Sequence, residues 1–85
     1  MELKDTIEMM NSEDFKERFK AEYYQIKIRF HKLHTMVTKY EAGTLTFEPK
    51  CSLELLKKQE AYMWEYIKCL DLRAEIEGID LTVEH

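Results

Sequence analysis

The sequence predicts an all-α protein: a long antiparallel two-helix hairpin with a short N-terminal helix, assembled into a helical-bundle oligomer. Three observations carry this. The composition, with 45% hydrophobic and 35% charged residues but only two glycines and one proline, is rich in helix formers and poor in breakers. Apolar residues recur at helical spacing over two long stretches. Between those stretches lies one short segment with turn chemistry.

The first element is short. Leu3, Ile7 and Met10 are spaced 4 and 3 apart, one apolar stripe of a helix within residues 1–11 that is too brief to be stable alone. Asn11 and Ser12, followed by Glu13 and Asp14, read as a helix start: a capping side chain, then carboxylates at the positive end of the helix dipole. From there Phe19, Tyr23, Ile26, Phe30, Leu33, Val37 and Tyr40 alternate spacings of 4 and 3, a seam that predicts a helix over about residues 13–41, roughly 43 Å long. Gly43 ends it. The loop, residues 42–52, alternates Leu45 and Phe47 with polar residues, which suggests an extended stretch tucking both side chains against the helix ends. Ser52 caps a second helix over about 53–77 with Glu54 in its first turn, and Gly78 stops it. Ile79 and Leu81 are expected to fold back, which makes residues 12–81 one hairpin domain. In the tail, 82–85, Val83-Glu84-His85 has the form of a cloning scar and is set aside.

The second helix carries two apolar rows. Leu56, Met63, Ile67, Leu70 and Ala74 make the first, and Leu55, Tyr62, Tyr66, Cys69 and Ile76 make the second, offset by one position around the helix. A two-helix hairpin covers one row. The other needs another chain, and an 85-residue chain buries little surface without such a partner.

Bulk properties narrow the function. A net charge of −4 argues against general nucleic-acid binding, which needs a basic footprint. Cys51 and Cys69 are fewer than a small secreted disulfide scaffold usually carries and, with 17 residues between them, are far from a Cys-x-x-Cys pattern; Cys69, on an apolar row, is expected to be a buried free thiol. No apolar run approaches the roughly 18 residues of a membrane span, and Met1 to Asn11 lacks the apolar centre of a signal peptide. The expected setting is therefore a reducing cytoplasm, with no membrane partner.

Nothing in the sequence suggests an enzyme or a cofactor. His31 and His34 are three apart with Glu41 within two turns, yet the four-ligand spacing of a structural metal site is missing. Glu13 and Asp14 fit helix-start charges better than an acid–base pair, and no phosphate loop, nucleophile elbow or zinc-protease motif occurs. The aromatics are dense. Most follow the seams, but Tyr23-Tyr24 and Tyr62 to Tyr66 lie near Arg18, Lys20, Lys27, Arg29, Lys57 and Lys58, and rings beside cations can take a base and its phosphates.

Several stretches carry a family resemblance: Glu17-Arg18-Phe19, Glu22-Tyr23, Ile26, Arg29 and Lys32-Leu33 in the first helix, Lys39-Tyr40-Glu41-Ala42-Gly43-Thr44-Leu45 at the turn, and Leu55-Leu56, Gln59, Met63, Tyr66, Leu70, Arg73 and Glu75-Ile76-Glu77 in the second. Together, over roughly residues 14 to 81, they resemble small phage and prophage proteins of a crAss-phage-related helical family. That family is similar in turn to the helical hairpin of phage anti-defence sponges, which capture the signalling nucleotides of the CBASS and Thoeris immune systems; the Gln59-x-x-x-Met63 element matches that hairpin. The resemblance implies homo-oligomers in the cytoplasm of a bacterial host that bind and sequester a cyclic oligonucleotide or cyclic ADP-ribose messenger between protomers without cleaving it.

On that reading Arg18, Arg29, Lys58 and Arg73 are the expected phosphate contacts, and Tyr23 and Tyr66 the expected base-stacking rings. The plainer alternative makes Arg18 and Lys58 solvated helix charges, Arg29 and Arg73 interprotomer ion-pair partners, and the tyrosines seam residues. A different class of function is a protein-binding inhibitor of a host defence factor, anti-CRISPR-like or a host-takeover protein, whose acidic ends Glu13-Asp14-Glu17 and Glu75-Glu77-Asp80 mimic nucleic acid. A structural assembly protein of the virion is a third.

Overall fold

A computed structural model describes residues 1–81 and is all-helical, with no strand among them; the tail residues 82–85, including the suspected scar, lie outside the described residues. A 3₁₀ turn over Leu3–Thr6 runs into a single α-helical turn, α1 (Ile7–Met10), followed by α2 (Phe15–Ala42) and α3 (Leu53–Glu77).

The long helices begin and end on local chemistry. Asp14 caps α2, its carboxylate accepting from the Lys16 N–H at 3.0 Å. Ser12, expected as part of the cap, instead accepts from the Asp14 N–H at 3.1 Å, so α2 starts two residues later than the sequence suggests. Two oxygen-bearing side chains two positions apart compete for the role, and the carboxylate next to the first turn wins. At the far end Gly43 takes φ 75°, and the Thr44 N–H closes onto the Lys39 carbonyl at 2.9 Å. Ser52 caps α3 through the Leu55 N–H at 3.2 Å, and Gly78 at φ 70° ends it. Both glycines occupy left-handed backbone, where a side chain would be strained.

α2 and α3 pack along their length. Glu41 pairs with Lys57 at 3.5 Å and His34 with Glu60 at 2.5 Å; the Phe30 and Trp64 rings lie 5.5 Å apart, Tyr66 donates to Glu22, and the Arg73 guanidinium sits 4.9 Å from the Phe19 ring. Partners fall in number along α2 as they rise along α3, so the two helices run in opposite directions.

The core sits toward the start of α2 and the end of α3, where Phe19, Tyr23, Tyr24, Ile67, Leu70, Ala74 and Ile79 are buried together, flanked by Met9, Ile26, Phe30 and Leu81. The folding back of Ile79 and Leu81 completes it, with the Tyr24 hydroxyl donating to the Leu81 carbonyl at 3.5 Å. α2 is covered on a second face as well. Ala21 is buried there, and Gln25 donates to the fully buried Thr6 hydroxyl at 2.9 Å, which in turn donates to the Leu3 carbonyl at 2.7 Å. That chain of bonds satisfies a buried polar group that would otherwise be costly and ties the N-terminal segment to α2.

On α3 the first apolar row turns inward: Leu56, Ile67, Leu70 and Ala74 are buried and Met63 half-buried. The second stays in solvent, from Leu55 and Tyr62 to Ile76, which is 79% exposed. Cys69 belongs to it and is exposed, contrary to the buried thiol expected, because the row it occupies finds no cover within the chain. Phe47 is likewise exposed, on the rim of an open groove it shares with Tyr40, Leu45 and Pro49, and only Leu45 of the expected pair is half-buried. The chain exposes 6441 Å², against about 5,400 Å² for a compact monomer of its mass.

Candidate functional site

Two surfaces combine rings with cations. The first is the outer face of α3 together with the flank of α2 beside it. Leu55, Lys58, Gln59, Tyr62, Met63 and Tyr66 line a shallow groove of about 490 Å³, so the structure brings Lys58 and Tyr66 together and adds the Gln59 and Met63 of the quoted element. The Tyr66 hydroxyl is committed to Glu22, and that bond, followed by burial, pushes its pKa up to about 12. The phenol is thus held neutral and fixed in place, which leaves its ring to offer as a stacking surface.

Arg73 lies two turns further along α3, close enough for its charge to act on Tyr66. It stacks over Phe19 and meets Glu77 at 3.4 Å. Arg18, Glu22 and Arg29 fall on one stripe of α2 by their spacings of 4 and 7, and Glu22 is the residue that touches Tyr66, so both arginines border the same face. Arg18 donates to the Ser12 carbonyl at 2.8 Å, and Arg29 is exposed. Five of the six residues expected at the site, all but Tyr23, therefore border one side of the molecule.

Tyr23 lies elsewhere. It is buried, packs edge to face on Tyr24 with centroids 5.8 Å apart, and opens onto a second groove of about 510 Å³ lined by Met1, Tyr23, Tyr24, Lys27, Ile28, His31, Lys32 and Leu81. The Lys27 ammonium is 5.6 Å from the Tyr23 ring, a cation–π distance. Sequence reasoning passed over His31 and Lys32 as ligand contacts. The signal was there: residues 23 and 24, 27 and 28, and 31 and 32 repeat at i,i+4, which lines them up along one helix stripe. What could not be read locally is that Met1 and Leu81 wall the same groove.

Burial, and then Asp71 beside the hydroxyl, push the Tyr23 phenol from 10.0 up to about 12; Tyr24 shifts the same way, mainly through burial. The folded chain then holds the phenolic proton more tightly than the unfolded chain. The stability this contributes is complete below about pH 10 and is lost as pH climbs through about 12. Urea unfolding midpoints are expected to be flat up to about pH 9 and to fall above 10, and Tyr23→Phe is expected to shallow that fall; an identical alkaline slope in the variant would show that Tyr23 is not its source.

His34 is taken up by Glu60 and stacks on Phe30 with centroids 5.8 Å apart. Among the described residues no three His, Cys, Asp or Glu side chains are grouped to hold a metal ion, and no described helix is long and apolar enough to cross a membrane.

Against known proteins, the model of a protein family described as Sequestin matches residues 13–76, from just before the α2 cap almost to the end of α3. No curated protein and no solved structure matches the chain.

Proposed function

Because the chain belongs to the Sequestin family, we propose that it is a phage anti-defence protein that binds and sequesters a bacterial immune signalling nucleotide, of the cyclic oligonucleotide or cyclic ADP-ribose type, without cleaving it. The family description speaks for binding and holding a molecule. The observation that carries the reading to a nucleotide is the outer face of α3, where the fixed ring of Tyr66 sits in one groove with Lys58 and is bordered by Arg73, Arg18 and Arg29. A ring takes a base, and guanidinium groups take phosphate oxygens in pairs.

The unit of binding is an assembly of antiparallel hairpins of the same chain, located in the cytoplasm of the phage's bacterial host. The exposed row Leu55, Tyr62, Tyr66, Cys69 and Ile76 is apolar enough to need cover. The surface in excess of a compact monomer, about 1,000 Å², is close to the ~800 Å² that each partner buries in a stable interface. Pockets at such junctions draw cations from two chains onto one ligand, which a single helical face cannot do.

A ligand held by the native state alone stabilises it by about 2.7 kcal/mol at a concentration one hundred times Kd, a shift of the melting midpoint by roughly 10 °C or more for a domain of this size. Thermal melting with a panel of cyclic di- and trinucleotides and cyclic ADP-ribose isomers is expected to show such a shift for at least one member, and heat-released ligand is expected to be chemically intact. No shift across the panel sinks the nucleotide reading.

One feature favours a second reading, inhibition by binding a host defence protein. Opposed helix directions bring the start of α2 and the end of α3 together, and Glu17 and Asp80 both act on Tyr24, so the two acidic stretches share one end of the molecule. Capture of a single host protein, lost on charge reversal of Glu13, Glu17, Glu75 and Glu77, is what that reading requires.

A further inference from the structure

The groove over Tyr23 and Tyr24 stands apart from the α3 face, and its chemistry is distinct. We propose that it is a second ligand site, complete within one protomer, that takes a mononucleotide-sized group: a heteroaromatic ring carrying a phosphate. The ligand class rests on the sequestering reading above; the location does not.

Charge points to an anion. The chain as a whole carries four more acidic than basic residues, yet every ionisable side chain lining this groove other than the tyrosines is basic: Lys27, His31 and Lys32. Among the described residues Lys27 and Lys32 enter no ion pair, as is also true of Lys16, Lys39, Lys50 and Lys58; what sets these two apart is that they line one groove with no carboxylate in its lining. Lys27 and Lys32 put two ammonium groups on the lining of one concavity of an acidic protein, while the carboxylates of Asp71 and Asp80 act on its tyrosines from outside that lining.

Shape and lining point to a ring. At about 510 Å³ the groove falls within the usual 300–1,000 Å³ of small-molecule sites. Its walls combine two aromatic side chains with Ile28, Leu81 and Met1, apolar surface suited to a flat base. The Tyr24 hydroxyl is engaged with the Leu81 carbonyl and the Tyr23 hydroxyl has Asp71 beside it, so both phenols are anchored. Lys27, one turn beyond Tyr23 and already over its ring, can swing from that face to a phosphate, with Lys32 a further turn along.

The test uses AMP as probe, with adenosine and inorganic phosphate as separate arms, followed by calorimetry and by amide chemical shifts of the full chain. AMP is expected to bind more tightly than either fragment and to shift amides around Tyr24, Lys27, His31 and Leu81. Lys27→Glu with Lys32→Glu is expected to weaken AMP at least tenfold, whereas Lys50→Glu, exposed in the loop and outside both grooves, leaves it unchanged. Both replaced lysines are exposed, and matching melting curves without ligand will show that the fold is intact. Failure of AMP to bind, or affinity unchanged in the double variant, overturns the site. Loss of AMP in Lys58→Glu alone overturns it too, while leaving the sequestering reading standing on the α3 face. A wild-type chain that ignores AMP but is stabilised by a cyclic nucleotide separates the two in the same way.

Discussion

Ile67→Ala is expected to lower stability by about 3 kcal/mol, within the 2–5 kcal/mol typical of emptying a buried isoleucine site. Ile67 is 1% exposed and sits among Phe19, Tyr23, Leu70 and Ala74, where α2 and α3 meet and neither helix can move in without disturbing the other contacts. A domain of this length holds only about 4–13 kcal/mol in total, so a large share of it disappears. Urea unfolding followed by helical circular dichroism, at one fixed protein concentration because assembly adds to apparent stability, measures the effect. Leu55→Ala, on the exposed row of the same helix, serves as the contrast: under dilute conditions it is expected to cost less than about 0.5 kcal/mol. Equal losses at the two positions would contradict the assignment of inner and outer rows.

That assignment marks how far the sequence alone reaches. The bounds of α3 were readable because Ser52 and Gly78 act within one turn of themselves, whereas the start of α2 shifted because Asp14, which the sequence places as a first-turn carboxylate, caps the helix itself. The two rows on α3 came from spacing, whereas Lys58, Tyr66 and Arg73 were expected as ligand contacts on the reading that the family resemblance implies. The burial of Tyr24 and Ala21 did not. It depends on the N-terminal segment and on Leu81, the latter bonded to a residue 57 positions away, and no periodicity within α2 signals which segments will lie over it. For the same reason Tyr23, expected like Tyr66 to be a base-stacking ring, lies within the chain on the second groove: a seam position can open to either flank, and the fold decides which.

Placing carboxylates in the exposed row is the complementary experiment, with the larger effect on the assembly. Tyr62→Glu with Ile76→Glu changes two side chains that make few contacts within the chain, 66% and 79% exposed respectively, so helicity and the core should persist. Across a symmetric junction each carboxylate would meet its own counterpart or an apolar neighbour, and burying unpaired charge costs several kcal/mol per ion. Light scattering is expected to show the wild-type chain as a multiple of its 10.3 kDa mass and the double variant as a single chain. The ligand consequences divide by location. A pocket built at the α3 junction vanishes with the assembly, and stabilisation by a cyclic nucleotide goes with it, while AMP binding at the groove over Tyr23 and Tyr24, which needs one protomer, survives. A wild-type monomer, or a variant that still assembles, would remove α3's outer row as the interface and return Tyr66, Lys58 and Arg73 to the role of a solvated helix face.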